Sequence, residues 1–341
     1  MVYIIAEIGC NHNGDVNLAR KMVDVAVECG VDAVKFQTFK ADKLISKYAP
    51  KADYQKVTTG TADTQLEMTK RLELSFDEYL ELRDYTAQKG VDVFSTPFDQ
   101  ESLDFLISTD MPVYKISSGE ITNLPYLEKI GQQKKKVILS TGMAVMDEIH
   151  AAVKILQENG TTDISILHCT TEYPTPYDAL NLNVITTLKR EFPNLVIGYS
   201  DHSIGSEVPI AAAALGAEVI EKHFTLNTEM EGPDHKASAT PDILANLVKG
   251  VRIVEKSLGS FDKTPEAVEE KNKIVARKSV VALCPIKQGE IFTEENITVK
   301  RPGNGISPMY WYEILGKEAQ SDFEEDQVIV DNRFEPQIKE G

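Results

Sequence analysis

The run VIEKHFTL, residues 219 to 226, has the β-branched and aromatic residues of a buried strand and yet carries Glu221, Lys222 and His223 at its centre. Side chains alternate across a strand, so Glu221 and His223 share one face while Lys222 points to the other. Similar runs end in comparable groups: Lys35 with Gln37 on one face of DAVKFQT, Lys115 with Ser117 and Ser118 in PVYKISSG, and Ser200 with His202 on one face of LVIGYSDH. Glu7 closes VYIIAEIG, Thr96 closes VDVFSTPF, Ser140 closes KVILSTGM, and Thr171 with Tyr173 follows ISILHC.

These residue types suggest two kinds of chemistry. Two ammonium groups, Lys35 and Lys115, among the hydroxyls of Thr96, Ser118, Ser140 and Ser200 suit a small, highly charged oxyanion such as a phosphate ester that also bears a carboxylate. The alternative is that each lysine only balances Glu7 or Glu120. His202 and His223 end consecutive strands, where their imidazoles can converge on one divalent metal; otherwise they are buried structural histidines. Two protein ligands describe an open, exchangeable Mn²⁺ or Mg²⁺ site rather than a structural zinc. Glu7 either holds a substrate hydroxyl, shuttles a proton or balances Lys35. Taken alone, Tyr173 and Asp234 are unremarkable, and Arg301, in the turn RPGNG, reads as a solvated charge.

The elements that must position these groups form one repeat. Eight short β-rich runs alternate to about residue 260 with amphipathic patterns such as VNLARKMVDVAVECG, SFDEYLELRDYTAQKG and MDEIHAAVKILQENG. The alternation predicts a TIM (β/α)8 barrel over residues 1–262, in which chemistry sits at the C-terminal strand ends. An open doubly wound sheet is the rival, but no G-x-G-x-x-G follows the first strand. In the barrel, Glu221 and His223 face the axis near its mouth. The long polar insert from Lys40 to Ser75 falls on the catalytic side and is expected to act as a lid or binding loop. A charged linker, 263–276, then leads to a small β-rich domain, 277–341, with turn signals QGE and PGNG.

Composition excludes other classes. Lys and Arg number 36 against 53 Asp and Glu, a formal charge of −17, which argues against nucleic acid or an anionic membrane as the main partner. The four cysteines are widely spaced and suggest neither a zinc knuckle nor a disulfide framework. MVYIIAEIG reads as a first strand rather than a signal peptide, and VPIAAAALGAEVI is too short to span a bilayer, so the expected location is cytoplasmic.

The ordered motifs IAEIGCNHNGD, VKFQTFKA, FSTPFD, YKISSGEITNLP, ILSTGM, LHCTTEYPTP, GYSDHSIG, VIEKHFTL, GPDHKAS and KRPGNGIS resemble those of the sialic acid synthase family, phosphoenolpyruvate-dependent synthases of nine-carbon nonulosonic acids. The resemblance implies a TIM barrel followed by an antifreeze-like (SAF) domain. It also implies condensation of phosphoenolpyruvate with an open-chain, N-acetylmannosamine-type sugar, with phosphate leaving by C–O cleavage. By the same resemblance, Lys35, Thr96, Lys115, Ser118, Ser140 and Ser200 hold phosphoenolpyruvate, and His202 and His223 hold a divalent metal. Glu221 orients a metal-bound water, while Glu7, Gln37, Tyr173 and Asp234 hold the sugar. Arg301 reaches the site from the partner subunit of a domain-swapped homodimer and binds the acetamido group. Thr171 stands where many members have Asn, and TTEYP with KADYQ is more similar to the N,N′-diacetyllegionaminate branch, whose sugar is 2,4-diacetamido-2,4,6-trideoxymannose. N-acetylneuraminate synthase is the alternative. A barrel hydrolase, an ice-binding module and a non-catalytic sugar-binding barrel remain the readings from other classes.

Overall fold

In the computed structural model, which describes residues 1–334, the eight β-rich runs form parallel strands: β1 (Tyr3–Gly9), β2 (Ala33–Thr38), β3 (Asp92–Pro97), β4 (Val113–Ile116), β5 (Lys136–Ser140), β6 (Ile164–Cys169), β7 (Val196–Asp201) and β8 (Val219–His223). Their order is β3-β2-β1-β8-β7-β6-β5-β4, and β3 and β4 pack side by side, so the sheet curls into a nearly closed barrel. Helices fill the connections, as parallel neighbours require. The first, Val16–Glu28, starts at Asp15, whose side chain caps the Asn17 and Leu18 amides, and buries Ala19, Met22, Val23 and Ala26 along one stripe.

Register does the positioning. The ladders set Glu7 beside Lys35 on one side and beside His223 on the other, Gln37 beside Thr96, and Ser200 beside Glu221. Paired residues in a ladder project to the same face, so polar groups far apart in sequence meet at the strand ends. On the other face of β8, Lys222 is buried; its Nζ donates to Asp201 Oδ2 at 2.5 Å and to the Ser203 carbonyl at 2.7 Å. Asp201 Oδ1 accepts in turn from Tyr199 Oη at 3.0 Å and from Ser203 Oγ at 2.8 Å. This network ties the end of β7, which leads into His202, to β8, which carries Glu221 and His223.

The insert after β2 holds three short helices, Ala41–Leu44, Asp53–Thr59 and Gln65–Lys70. It is less uniformly polar than its composition implies. Leu72 is buried with Cys10 and Phe39 in a small apolar cluster, against which Leu44 and Phe98 pack. The Lys51 ammonium joins its halves by donating to Thr59 Oγ1 at 3.2 Å and to the Gly60 carbonyl at 3.0 Å.

The chain divides into compact units at 1–259 and 260–341. In the second, β9 (Ser279–Ala282) pairs antiparallel with β10 (Ile297–Lys300) over a core that includes Val280, Ile286, Phe292 and Ile314. The stretch expected to be a plain linker carries a short helix, Glu270–Ala276. The end of the expected 277–341 domain, residues 335–341, lies outside the described residues. Among the described residues no helix is long and apolar enough to cross a membrane.

Removing one partner of the buried pair strands the other charge. Lys222→Met should therefore lower stability by about 3 to 5 kcal/mol in urea unfolding, and the double variant with Asp201→Asn should recover part of that loss. A double variant no more stable than the sum of the singles would refute the coupling.

Candidate active site

The C-terminal strand ends and the insert enclose a cavity of about 560 Å³. Its lining includes Glu7, Lys35, Gln37, Lys115, Ser118, Ser140, Tyr173, Ser200, His202, Glu221, His223 and Asp234, which sequence spacing could only propose as neighbours. Thr96 does not line it: fully buried, it accepts from Lys35 Nζ at 3.2 Å and so orients that lysine. Arg301 belongs to the second unit, where its Nε donates to the Ala276 carbonyl at 3.1 Å.

Four buried charges form the floor. Lys35 Nζ lies 3.0 Å from Glu7 Oε2 and 3.7 Å from Glu221 Oε2, and Lys115 Nζ lies 3.6 Å from Glu221 Oε1. Lys115 also donates to Ser140 Oγ at 2.8 Å, and Ser200 Oγ to Glu221 Oε1 at 3.1 Å. Lys35 does balance Glu7, but Glu120 is held by Asn123, so the charge on Lys115 is answered by Glu221 instead. The floor has two ammonium groups facing an open cavity, and Glu221 Oε2 is buried without a hydrogen-bond partner.

The two carboxyls titrate apart. Burial pushes Glu7 up to about 7, against the pull of Lys35 and with the repulsion of Glu221. Burial would raise Glu221 as well, but Lys115, Lys35 and the Ser200 hydroxyl outweigh it and hold Glu221 below the ordinary carboxylate range. Burial lowers Lys115, Glu221 offsetting part of that, whereas the two carboxylates overcome burial and raise Lys35. Such divergence gives one permanent anion and one group able to exchange a proton near neutrality. Glu7 is held in place by Gln37, whose Nε2 donates to Glu7 Oε1 at 2.7 Å. Gly9, at φ +56°, closes in over both: a Cβ there would lie 3.0 Å from each of those two atoms.

Above the floor, the ring centroids of His202 and His223 lie 5.4 Å apart, and the Tyr173 ring lies against His202 at 4.1 Å, tilted by 33°. His202 Nδ1 donates to the Thr170 carbonyl at 2.7 Å, so Nε2 is the ring nitrogen that could coordinate an ion. His223 Nδ1 is buried with no hydrogen-bond partner, 3.8 Å from Asp234 Oδ2. Burial, then His202 and Lys35, push His223 well below its ordinary value, so it is neutral, as a ligand must be. Among the described residues no group of three or more His, Cys, Asp and Glu is arranged around a metal. The residues present that could hold an ion here are thus the two imidazoles.

With this geometry in place, the matches to known proteins are consistent along the chain. Residues 22–263 match the NeuB family and residues 277–335 the SAF domain. The chain belongs to the NeuB family. It is 50% identical to N,N'-diacetyllegionaminic acid synthase of Campylobacter jejuni over 96% of this chain and 98% of that protein. It is 43% identical to the protein of the same name from Legionella pneumophila, over 92% and 89%. The crystal structure of N-acetylneuraminic acid synthetase from Leptospira borgpetersenii, in complex with citrate, is 36% identical, with a TM-score of 0.71 over 80% of this chain and 90% of that one.

Within this NeuB barrel, sequence reasoning missed residues that carry no charge. Cys10 donates to Asp234 Oδ2 at 3.5 Å, and Cys169 lies 3.9 Å from His202 Nδ1; both line the cavity. Leu44, Met68, Leu72, Gln55 and Gln65 of the insert line it too. The insert was expected to act as a lid or binding loop; the apolar residues spaced through it were a signal that part of it turns inward, though not of which side chains do. Neither cysteine had one.

The state of Glu7 has a measurable consequence for stability. Its folded value of about 7 lies above the ordinary 4.5, so its contribution is full below 4.5 and is lost as pH rises toward 7. Glu7→Gln should flatten that decline in urea midpoints measured from about pH 5 to about pH 8. An unchanged slope would show that another group titrates.

Proposed function

We propose that this NeuB-family chain is a nonulosonic acid synthase that condenses phosphoenolpyruvate with a 2-acetamido mannose-type sugar. The favoured substrate is 2,4-diacetamido-2,4,6-trideoxymannose, and the product is N,N'-diacetyllegionaminate. The observation that carries the reaction class is the floor itself: two buried lysines within a ring of hydroxyls, beside two imidazoles that can share an ion. The choice of sugar rests on relatives whose names specify the diacetyl product. N-acetylneuraminate synthesis from N-acetylmannosamine is the second reading, favoured by the name of the Leptospira structure.

In this reading Lys35, Lys115, Ser118, Ser140 and Ser200 bind phosphoenolpyruvate, and Thr96 acts by orienting Lys35. Gln37, Tyr173 and Asp234 position the open-chain sugar, with its aldehyde presented to C3 of phosphoenolpyruvate. C3 bonds to the aldehyde carbon, whose oxygen gains a proton and becomes a hydroxyl. Water adds to C2, losing a proton, and the C2–O bond to phosphate then breaks as the new C2 hydroxyl passes its proton to the departing phosphate, leaving a 2-keto acid and inorganic phosphate. Glu221 orients the water, and Glu7, poised near neutrality, can exchange the proton. His202 and His223 would hold Mn²⁺ or Mg²⁺, which when bound supplies Lewis-acid polarisation of the aldehyde. Arg301 donated by the partner subunit of a domain-swapped dimer would bind the acetamido group, in a cytoplasmic enzyme.

Offered phosphoenolpyruvate and Mn²⁺ with 2,4-diacetamido-2,4,6-trideoxymannose, the protein should release phosphate and yield a product with the mass of diacetyllegionaminate, and should do so faster than it turns over N-acetylmannosamine. Chelation should abolish turnover and Mn²⁺ restore it. Failure to release phosphate with either sugar would refute the synthase reading. Lys115→Met should raise KM for phosphoenolpyruvate about ten- to a hundredfold, as loss of one charge-assisted hydrogen bond implies. An unchanged KM with a sharply lowered Tm would make Lys115 structural.

For trans donation, His223→Ala and Arg301→Ala chains, each inactive alone, should recover activity in verified mixed dimers, since one site then has both intact parts. Mixed dimers without activity would refute it.

A further inference from the structure

The insert's share of the cavity wall differs chemically from the strand ends. Where the strand ends supply charges, the insert and its flank supply Phe39, Leu44, Met68 and Leu72, the hydroxyls of Ser46 and Thr69, and the carboxamides of Gln55 and Gln65. Phe39 and Leu72 belong to one buried apolar cluster, with Leu44 packed against it, and Met68 is itself buried. The two amides are ordered against each other: Gln55 Oε1 accepts from the Ala52 amide at 3.0 Å and from Gln65 Nε2 at 3.4 Å. With that oxygen engaged, the groups the pair has left to offer a ligand are chiefly N–H donors of Gln55 and the carbonyl oxygen of Gln65.

Few small groups match a donor and an acceptor set beside an apolar patch. A carboxylate or phosphate would want cations, which the cavity keeps at its floor, and a hydroxyl would leave the apolar surface uncovered. An N-acetyl group matches: its C=O and N–H pair with a carboxamide, and its methyl covers the patch. We propose that Gln55 and Gln65, with the apolar wall of Phe39, Leu44, Met68 and Leu72, form the subsite for a second acetamido group on the sugar and so select a diacetamido substrate over N-acetylmannosamine, which carries a hydroxyl there. The inference rests on the synthase reading above and assigns the sugar discrimination to the insert. A site built to hydrogen-bond a group rejects analogues that lack it, because its own polar atoms are then left unpaired.

The test compares kcat/KM for 2,4-diacetamido-2,4,6-trideoxymannose and for N-acetylmannosamine, at saturating phosphoenolpyruvate and Mn²⁺, in the wild type, Gln55→Leu, Gln65→Leu and Gln55→Glu. Gln55→Glu keeps the acceptor for the Ala52 amide while removing the N–H donors, so it guards against a local folding defect in Gln55→Leu. Each variant should lose about tenfold or more on the diacetamido sugar, mainly through KM, while activity on N-acetylmannosamine holds or rises and KM for phosphoenolpyruvate changes by less than about twofold. Equal losses on both sugars, or no loss on either, would overturn the subsite while leaving the synthase reading intact. A wild type that turns over N-acetylmannosamine but not the diacetamido sugar would overturn the favoured substrate, and the subsite with it, before any variant is compared.

Discussion

Two carboxylates and two ammonium groups, Glu7, Glu221, Lys35 and Lys115, are all buried at the mouth of one barrel, and the rest of the site depends on their mutual balance. A single charge at that depth would cost several kcal/mol and would neutralise itself instead. Their alternation lets them stay in place without water. It also makes the lysines available, because Glu221 answers both at 3.6 to 3.7 Å, beyond hydrogen-bond range, rather than sealing either one. Both ammonium groups are thus left aimed at the cavity, and Glu7, pushed up to about 7, is the carboxyl there that can take up a proton near neutrality.

That cluster demands a rigid frame, and the frame is bonded from behind. Lys222 and Asp201, on the reverse face of the strands that bear Glu221 and precede His202, are tied to each other and to Tyr199 and Ser203. Alternation therefore serves both faces of one strand: one side chain does chemistry and its neighbour fixes the strand that presents it. The insert has the opposite character. Its helices are short, and what it adds to the cavity is a chemically distinct wall of apolar side chains and carboxamides rather than another charged group. In the proposed function, reaction class and sugar choice would thus fall to different parts of the chain.

Much of this was legible in the sequence because it follows from local periodicity. The period-two runs and intervening amphipathic stretches specify strands and helices, their alternation specifies a parallel barrel, and that fold places strand ends at one mouth. Charged residues inside otherwise apolar strands, as in VIEKHFTL, marked the site because burying them needs a compensating partner. What only the tertiary structure decided is which groups meet. Ladder register set Glu7 between Lys35 and His223, while closure of the barrel chose Glu221 over Glu120 as the answer to Lys115 and Thr96 withdrew behind Lys35. The inward turn of Gln55, Gln65 and Met68 also belonged to the fold, since short helices in a long connection carry no period that tells which face will be covered. Sequence determines what each segment prefers locally; contacts between residues hundreds of positions apart are settled by packing, where one residue's burial depends on every other's.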